Sequence, residues 1–272
     1  MNMMITASIV LYKNDKKILS NAIKSFLNLD SDLILFLIDN SPTDELKSLK
    51  IDARIEYQHN PSNPGFGSAH NIALKRAVKL ESKYHFVVNP DIYFEGDVIN
   101  EMVRFMSSDK TIGMMMPKIL NTDGTTQFLP KLLPTPLSII KRKLKFPKTI
   151  YNKFIKRYEL RDIPSDMIYN APVLSGCFTL FNTEALQKIG FYDDSFFMYF
   201  EDWDISRRMH EKYKTIYYPK VSITHEYESG ANNNKKLFII FIKSAFKFFN
   251  KWGWILDKER NKINNSALNQ FK

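Results

Sequence analysis

Short apolar runs, each stopped by turn-forming residues and followed by a helical pattern, recur along the first half of the chain. Residues 7–13, ASIVLYK, form one such run, and Ile18, Leu19, Ala22, Ile23, Phe26 and Leu27 then fall at helical spacing between Lys16 and Leu29. This predicts a strand followed by an amphipathic helix. DLILFLIDNS (32–41) reads as a buried strand ended by the turn cluster Asp39-Asn40-Ser41-Pro42. IEYQHN (55–60) predicts a third strand; PSNPGFGSAHN breaks the pattern before a helix from Ala69 to Leu80, and HFVVNPD (85–91) carries a fourth strand into another turn. A helix over Val98 to Met106 and a strand IGMMMPKIL (112–120) follow, the methionines filling core. Farther on, VLSGCFTLF (173–181) predicts a strand, TEALQKIG (183–190) a short helix capped by Thr183 and stopped by Gly190, and KTIYYPKVSITHE (214–226) a strand with His225 just past its end. From Lys235, KKLFIIFIKSAFKFFNKWGW sets lysines among large apolar residues on an amphipathic helix. Residues 121–168 contain five prolines and no clear period, so a long, partly mobile insertion is expected there. No internal repeat interrupts this order.

Strands alternating with helices predict an α/β fold whose sheet is largely parallel and covered on both faces. Ligands of such sheets bind outside the carboxyl ends of the strands, and Tyr12, Asp39, residues 65–71 and Asp91 all fall at strand ends. With 272 residues, 44% of them hydrophobic, the chain can bury a sizeable core. The single cysteine, Cys177, rules out an intrachain disulfide and is expected to be packed core. The N-terminal apolar run has no basic residue ahead of it and no small-residue cleavage pattern, so it reads as a first strand and not a signal peptide. Apolar runs such as Leu237–Ile242 fall far short of the roughly 20 residues needed to cross a bilayer. A net charge of +10 favours a polyanion; nucleic acid, an acidic membrane surface and a diphosphate substrate all qualify. The excess is local: ten basic residues against the single acid Glu159 between Lys131 and Arg161, and five lysines with no acid from Lys235 to Lys251.

The densest chemistry lies in FFMYFEDWDISRR (196–208), where Glu201, Asp202 and Asp204 follow an aromatic run and open a helical pattern. Acids in a first helical turn are favoured by the helix dipole; alternatively, one of them is a general base in a partly desolvated pocket. Asp91, in VVNPDIYF, is either a turn residue or a carboxylate placed to hold a divalent ion against phosphates. His225 is a second candidate ligand, suited to Mn²⁺ over Mg²⁺. Asp39 either caps its turn or accepts from a base imide N–H. The GFG segment (65–67) matches no P-loop or dinucleotide fingerprint, but it can bring backbone close to a phosphate or ribose. One cysteine cannot build a zinc cluster, and no zinc-finger or RNP pattern supports nucleic-acid binding.

In this order the segments IVLYKN, LIDNSP, NPGFGSAHN, NPDIYF, GCFTLFNTEALQKIGFYDDSFFMYFEDWDISRRM and THEYESG resemble the inverting GT-A glycosyltransferases of family 2, in particular the rhamnosyltransferase-like branch of bacterial O-antigen and capsular polysaccharide synthesis. The resemblance covers roughly residues 5 to 230, and position 89 is Asn where a strict Asp-x-Asp would have an acid. It implies a GT-A domain over 1–230, with a nucleotide-sugar half (1–115), an acceptor half (116–230) carrying the basic insertion 121–168, and a C-terminal amphipathic extension over 231–272. It further implies Asp202 as base with Glu201 orienting it, and Asp91 and His225 holding Mg²⁺ or Mn²⁺. Tyr12, Asp39, Gly67, Asn71, Asn89 and Asp91 would line the nucleotide-sugar site. One of Arg207 and Arg208 is expected near the diphosphate and the other on the helix surface, with Asp204 a structural first-turn acid. The implied donor is dTDP-rhamnose, or a UDP-hexose such as UDP-galactofuranose. The implied acceptor is a saccharide on polyprenyl diphosphate. The implied location is the inner face of a bacterial cytoplasmic membrane, with the basic segments on anionic lipid; nucleic acid is not an expected partner, and a homo-oligomer is allowed.

Overall fold

The structure is a computed structural model that describes residues 4–29, 32–226 and 235–272. A nine-stranded sheet runs through it, in the order β3-β2-β1-β4-β8-β6-β9-β5 with β7 paired to β9. Its strands are β1 (Ile5–Leu11), β2 (Leu33–Asp39), β3 (Ile55–His59), β4 (Tyr84–Val88), β5 (Ile92–Tyr93), β6 (Ile112–Leu120), β7 (Tyr169–Asn170), β8 (Phe178–Asn182) and β9 (Lys214–His225). β3, β2, β1 and β4 are parallel neighbours. β8 runs against both β4 and β6, whereas β9 is parallel to β6 and antiparallel to β5 and β7. The sheet is therefore mixed but mostly of one direction. All seven residues of β1 are buried, as expected of a strand covered on both faces.

The helices are α1 (Lys16–Leu27), α2 (Phe66–Lys79), α3 (Val98–Ser108), α4 (Pro136–Leu144), α5 (Lys148–Tyr158), α6 (Thr183–Ile189), α7 (Glu201–His210), α8 (Lys235–Trp252) and α9 (Lys258–Asn269), plus one 3₁₀ turn at Glu45–Leu49. α2 starts three residues earlier than its periodicity suggests, because Gly65, at φ +106°, caps it and leaves Gly67 and Asn71 inside the helix. α6 is capped by Asn182, whose side chain accepts from Ala185 N at 3.2 Å, and not by Thr183. His225 is the last paired residue of β9, opposite Ile92.

The expectation of an irregular insertion over 121–168 is corrected: it carries α4 and α5. A reciprocal Thr135/Ser138 capping box with Pro136 in the first turn starts α4. Periodicity missed both because each buries only a narrow face, Ile139 on α4 and Ile155 with Tyr158 on α5, while Leu137, Ile140, Leu144 and Ile150 remain exposed.

The C-terminal helices are joined tightly to the rest. α8 buries Ala245, Phe248 and Phe249 in one apolar cluster with Phe196, Phe200 and Trp203. Arg207 donates to both carboxylate oxygens of Asp257 at 2.6 and 3.0 Å and stacks 4.1 Å over the Trp252 ring. Asn264 on α9 closes two hydrogen bonds with the backbone of Leu133.

Candidate active site

The site lies at the carboxyl edge of the parallel strands, and one peptide segment ties its halves together. Instead of continuing as strand, residues 173–177 cross that edge before β8 begins at Phe178. Asn89 N donates to the Cys177 carbonyl at 2.8 Å, and Gly176 N donates to Oδ2 of Asp202 at 3.3 Å. A Cβ on Gly176 would sit 3.4 Å from that of Asp202 and 3.5 Å from Phe66, so the approach is close. Cys177 is buried core as expected; burial, with the Asp91 and Asp202 charges adding, pushes its thiol up to about 12.

On one side stand Asn89, Asp91 and His225. Nε2 of His225 lies 3.3 Å from Oδ1 of Asp91 and 3.4 Å from Nδ2 of Asn89. Its Nδ1 faces Gln127 Oε1 at 3.1 Å, and Gln127 Nε2 donates back to the His225 carbonyl at 3.2 Å, which fixes the ring. Oδ1 of Asp91 is buried yet receives no hydrogen bond. A carboxylate oxygen left without a donor beside an imidazole nitrogen is a donor set that Mg²⁺ or Mn²⁺ can use. No cluster of three or more acidic, His or Cys ligands exists among the described residues, so a cation bound here would need other ligands, such as substrate oxygens and water. Asp91 and His225 line a cleft of about 430 Å³ with Asn14, Asp15, Asn121 and Glu226.

On the other side is α7. Its N-terminus has no side-chain cap and is reached through Tyr199 and Phe200, both at φ +67°, a strained approach of the kind found where a loop aims functional groups. Glu201 is 5% exposed and its Oε2 has no partner. Burial, with the Asp202 charge adding, raises its carboxyl well above the ordinary range. Asp202 is only half-buried. Burial lifts its carboxyl to about 6, while the Lys131 ammonium and the N–H groups of Gly176 and Trp203 keep it from rising further. Asp202 Oδ1 accepts from Trp203 N at 3.0 Å, so it satisfies a helix-end donor and keeps one face toward the edge. Desolvation in turn pushes Lys131 down to about 8.

Asp204 is structural, as expected: fully buried, it accepts from Arg208 Nε at 2.9 Å and from Trp252 Nε1 at 2.8 Å. The expectation that one α7 arginine approaches a diphosphate is corrected. Arg207 is committed to Asp257, and Arg208 to Asp204 and the carbonyls of Ile189, Gly190 and Phe191.

Three further candidates hold the frame of the site. Asn71 is buried and pins the loop ahead of α7, donating to Tyr192 O and Asp194 Oδ1 at 2.8 Å each and accepting from Tyr192 N at 3.0 Å. Gly67 packs so tightly on Tyr192 that a Cβ would lie 2.9 Å from that of the tyrosine. Both Asp39 oxygens are engaged, one by Ser41 N at 2.9 Å and the other by Tyr57 Oη at 2.7 Å, which is the turn-capping arrangement. Tyr12 is half exposed at the end of β1. Residues 227–230 of THEYESG lie outside the described residues. Gly176, Gln127 and Lys131 were not singled out by sequence; Lys131 lies among apolar neighbours in FLPKLLP, the pattern that could have marked it as buried.

Residues 8–190 match Glycosyl transferase family 2, and the chain belongs to that family. It is 24% identical over 173 residues to the low-salt glycan biosynthesis hexosyltransferase Agl10 of Haloferax volcanii, a match covering 63% of this chain and 52% of that one. The chain thus spans about half the length of this relative. Among solved structures, GalNAc-T7 with UDP, GalNAc and Mn²⁺ superimposes with a TM-score of 0.66 at 15% identity, over 92% of this chain and 49% of that one. S. aureus TarS residues 1–349 in complex with UDP gives 0.60 at 14% identity, over 98% and 71%. At these identities the likeness shows the fold, a GT-A-like α/β architecture with C-terminal helices.

Proposed function

We propose that the protein is an inverting glycosyltransferase that moves a sugar from a nucleoside diphosphate donor to a saccharide hydroxyl. The observation that carries the reading is Asp202: a half-buried carboxylate with its pKa raised to about 6, held by Gly176 N at 3.3 Å on the segment whose next residue, Cys177, accepts from Asn89 N. Asp202 takes the acceptor hydroxyl proton as that oxygen bonds to the anomeric carbon, and the bond from that carbon to the diphosphate breaks with its electron pair leaving on phosphate. A base whose pKa lies near the working pH suits this role, and such help is worth about 10²–10⁴-fold. Burial of Glu201 favours its neutral form, which would lessen like-charge repulsion beside Asp202. Asp91 and His225 would hold a divalent cation, which when bound acts as a Lewis acid for the departing phosphates. The relative's description as a hexosyltransferase and the neighbours' UDP and Mn²⁺ agree with this chemistry.

The donor favoured by the motif resemblance is dTDP-rhamnose, with UDP-hexoses, including UDP-galactofuranose, next. The acceptor is a glycan on polyprenyl diphosphate at the inner face of a bacterial cytoplasmic membrane, in surface polysaccharide synthesis. Hydrolysis and thermal stabilisation across a panel of nucleotide sugars, each with Mg²⁺, Mn²⁺ or chelator, test the reading. One donor should stabilise the protein and be hydrolysed only with the metal; no response to any donor would overturn it.

A further inference from the structure

The exposed side of α8 is not purely polar: large apolar residues stand there beside Lys235, Lys236, Lys243 and Lys247. Phe238, Ile239, Ile242 and Phe246 on α8 are exposed, and the turn that follows presents Trp254, Ile255 and Leu256, the last two 83% and 94% exposed. The insertion adds Leu144 and Phe146, 67% and 81% exposed. These segments form one surface: Lys143 of α4 lies 5.6 Å from the Phe238 ring and 5.1 Å from the Phe241 ring of α8, and Phe246 meets Trp254 edge-on at 5.0 Å. A contiguous exposed apolar patch of this kind marks a site of association.

Charge selects the occupant. Residues 136–158 contain eight basic side chains and residues 235–256 five, with no acid in either stretch. A second copy docking through the same patch would set these positive charges against themselves. Large apolar and aromatic residues on a helix and on a protruding turn, ringed by lysines, fit the headgroup boundary of a bilayer that carries anionic lipid.

We infer that α8, the 253–256 turn and the end of α4 with Phe146 form a docking surface for an anionic lipid bilayer. The inference deepens the proposed function by giving the site a route to a lipid-linked acceptor: the buried side of the same helix holds Phe200 and Trp203, which flank Glu201 and Asp202. Docking would therefore hold the loop ahead of α7 on the helix that meets the lipid.

The full chain should co-sediment with phosphatidylcholine vesicles containing phosphatidylglycerol, should pellet far less with phosphatidylcholine alone, and should be released by salt. The triple change Phe246→Ser, Ile255→Ser and Leu256→Ser should abolish pelleting. Lys145→Gln, Lys148→Gln and Lys243→Gln should each lower the partition coefficient by about fivefold. Circular dichroism and UDP or dTDP titration, run on the same samples, should match the parent protein, since none of these residues touches the site. Pelleting unchanged in folded apolar and lysine variants would overturn the inference, as would light scattering showing a dimer that the apolar variant splits while vesicle binding persists. A parent protein that pellets but binds no nucleotide would instead overturn the proposed function and leave the docking surface standing.

Discussion

Replacing Asp257 tests whether the C-terminal helices are part of the catalytic unit. Asp257 and Arg207 are each 4% exposed at the side chain and share two hydrogen bonds of 2.6 and 3.0 Å. Removing one partner of a buried pair costs about 3–5 kcal/mol, because the other charge stays buried. In Asp257→Ala, Arg207 would retain only Glu211, at 3.5 Å, and the Trp252 ring. Asp257 also caps α9, accepting from Arg260 N at 2.9 Å, and loss of a cap adds about 1 kcal/mol. Asp257→Ala should therefore lose about 4–6 kcal/mol, or roughly 8–24 °C in Tm at ~2–4 °C per kcal/mol. Asp257→Asn keeps a good capping oxygen and should lose about 1 kcal/mol less. Urea unfolding of the parent, Asp257→Asn, Asp257→Ala, Arg207→Met and the Asp257→Ala/Arg207→Met double variant closes the cycle. A loss below about 1.5 kcal/mol in Asp257→Ala would refute the reasoning, and the tail would then be an appendage.

Three further outcomes follow from the site. Glu201 is raised in the folded state by burial, so the parent loses stability as pH climbs from the unfolded carboxyl range toward the higher folded value; Glu201→Gln should flatten the fall in stability above pH ~4, seen as a smaller Tm change, and an unaltered slope would contradict a raised Glu201. Gly65→Ala puts a Cβ 2.2 Å from the Phe197 carbonyl oxygen at φ +106°, so it should cost about 2–4 kcal/mol and lower kcat by displacing the loop ahead of α7; a Tm within about 2 °C of the parent would contradict this. Asp91→Ala should remove the Mn²⁺ dependence of UDP or dTDP affinity in calorimetry, and an intact Mn²⁺ response would dismiss Asp91 as a ligand.

The strands and helices of the first half were legible because each buries a broad, continuous face: the run 33–39 and the spacing of Leu19, Ala22, Ile23 and Phe26 repeat in the burial of β2 and α1. Asp91 lies 3.3 Å from His225, and Asp202 is half-buried between Glu201 and Trp203, both buried. What sequence could not give depends on partners far apart along the chain. Arg207 meets Asp257 across 50 residues, so an arginine that looked available for phosphate is consumed inside the protein. Asn71, expected in the nucleotide pocket, meets Tyr192 across 121 residues and braces the loop ahead of α7. Lys131 was counted with surface lysines because a charge run conceals the one member that is 7% exposed.

The most direct test is the transfer rate of Asp202→Asn, with nucleotide binding measured on the same protein. The account predicts that UDP or dTDP affinity is kept while kcat falls by about 10²–10⁴-fold. In the parent, kcat/KM should fall tenfold per pH unit below about 6, as Asp202 gains its proton. An Asp202→Asn protein that transfers sugar at the parent rate, with the same acid limb, would contradict the assignment of Asp202 as the base.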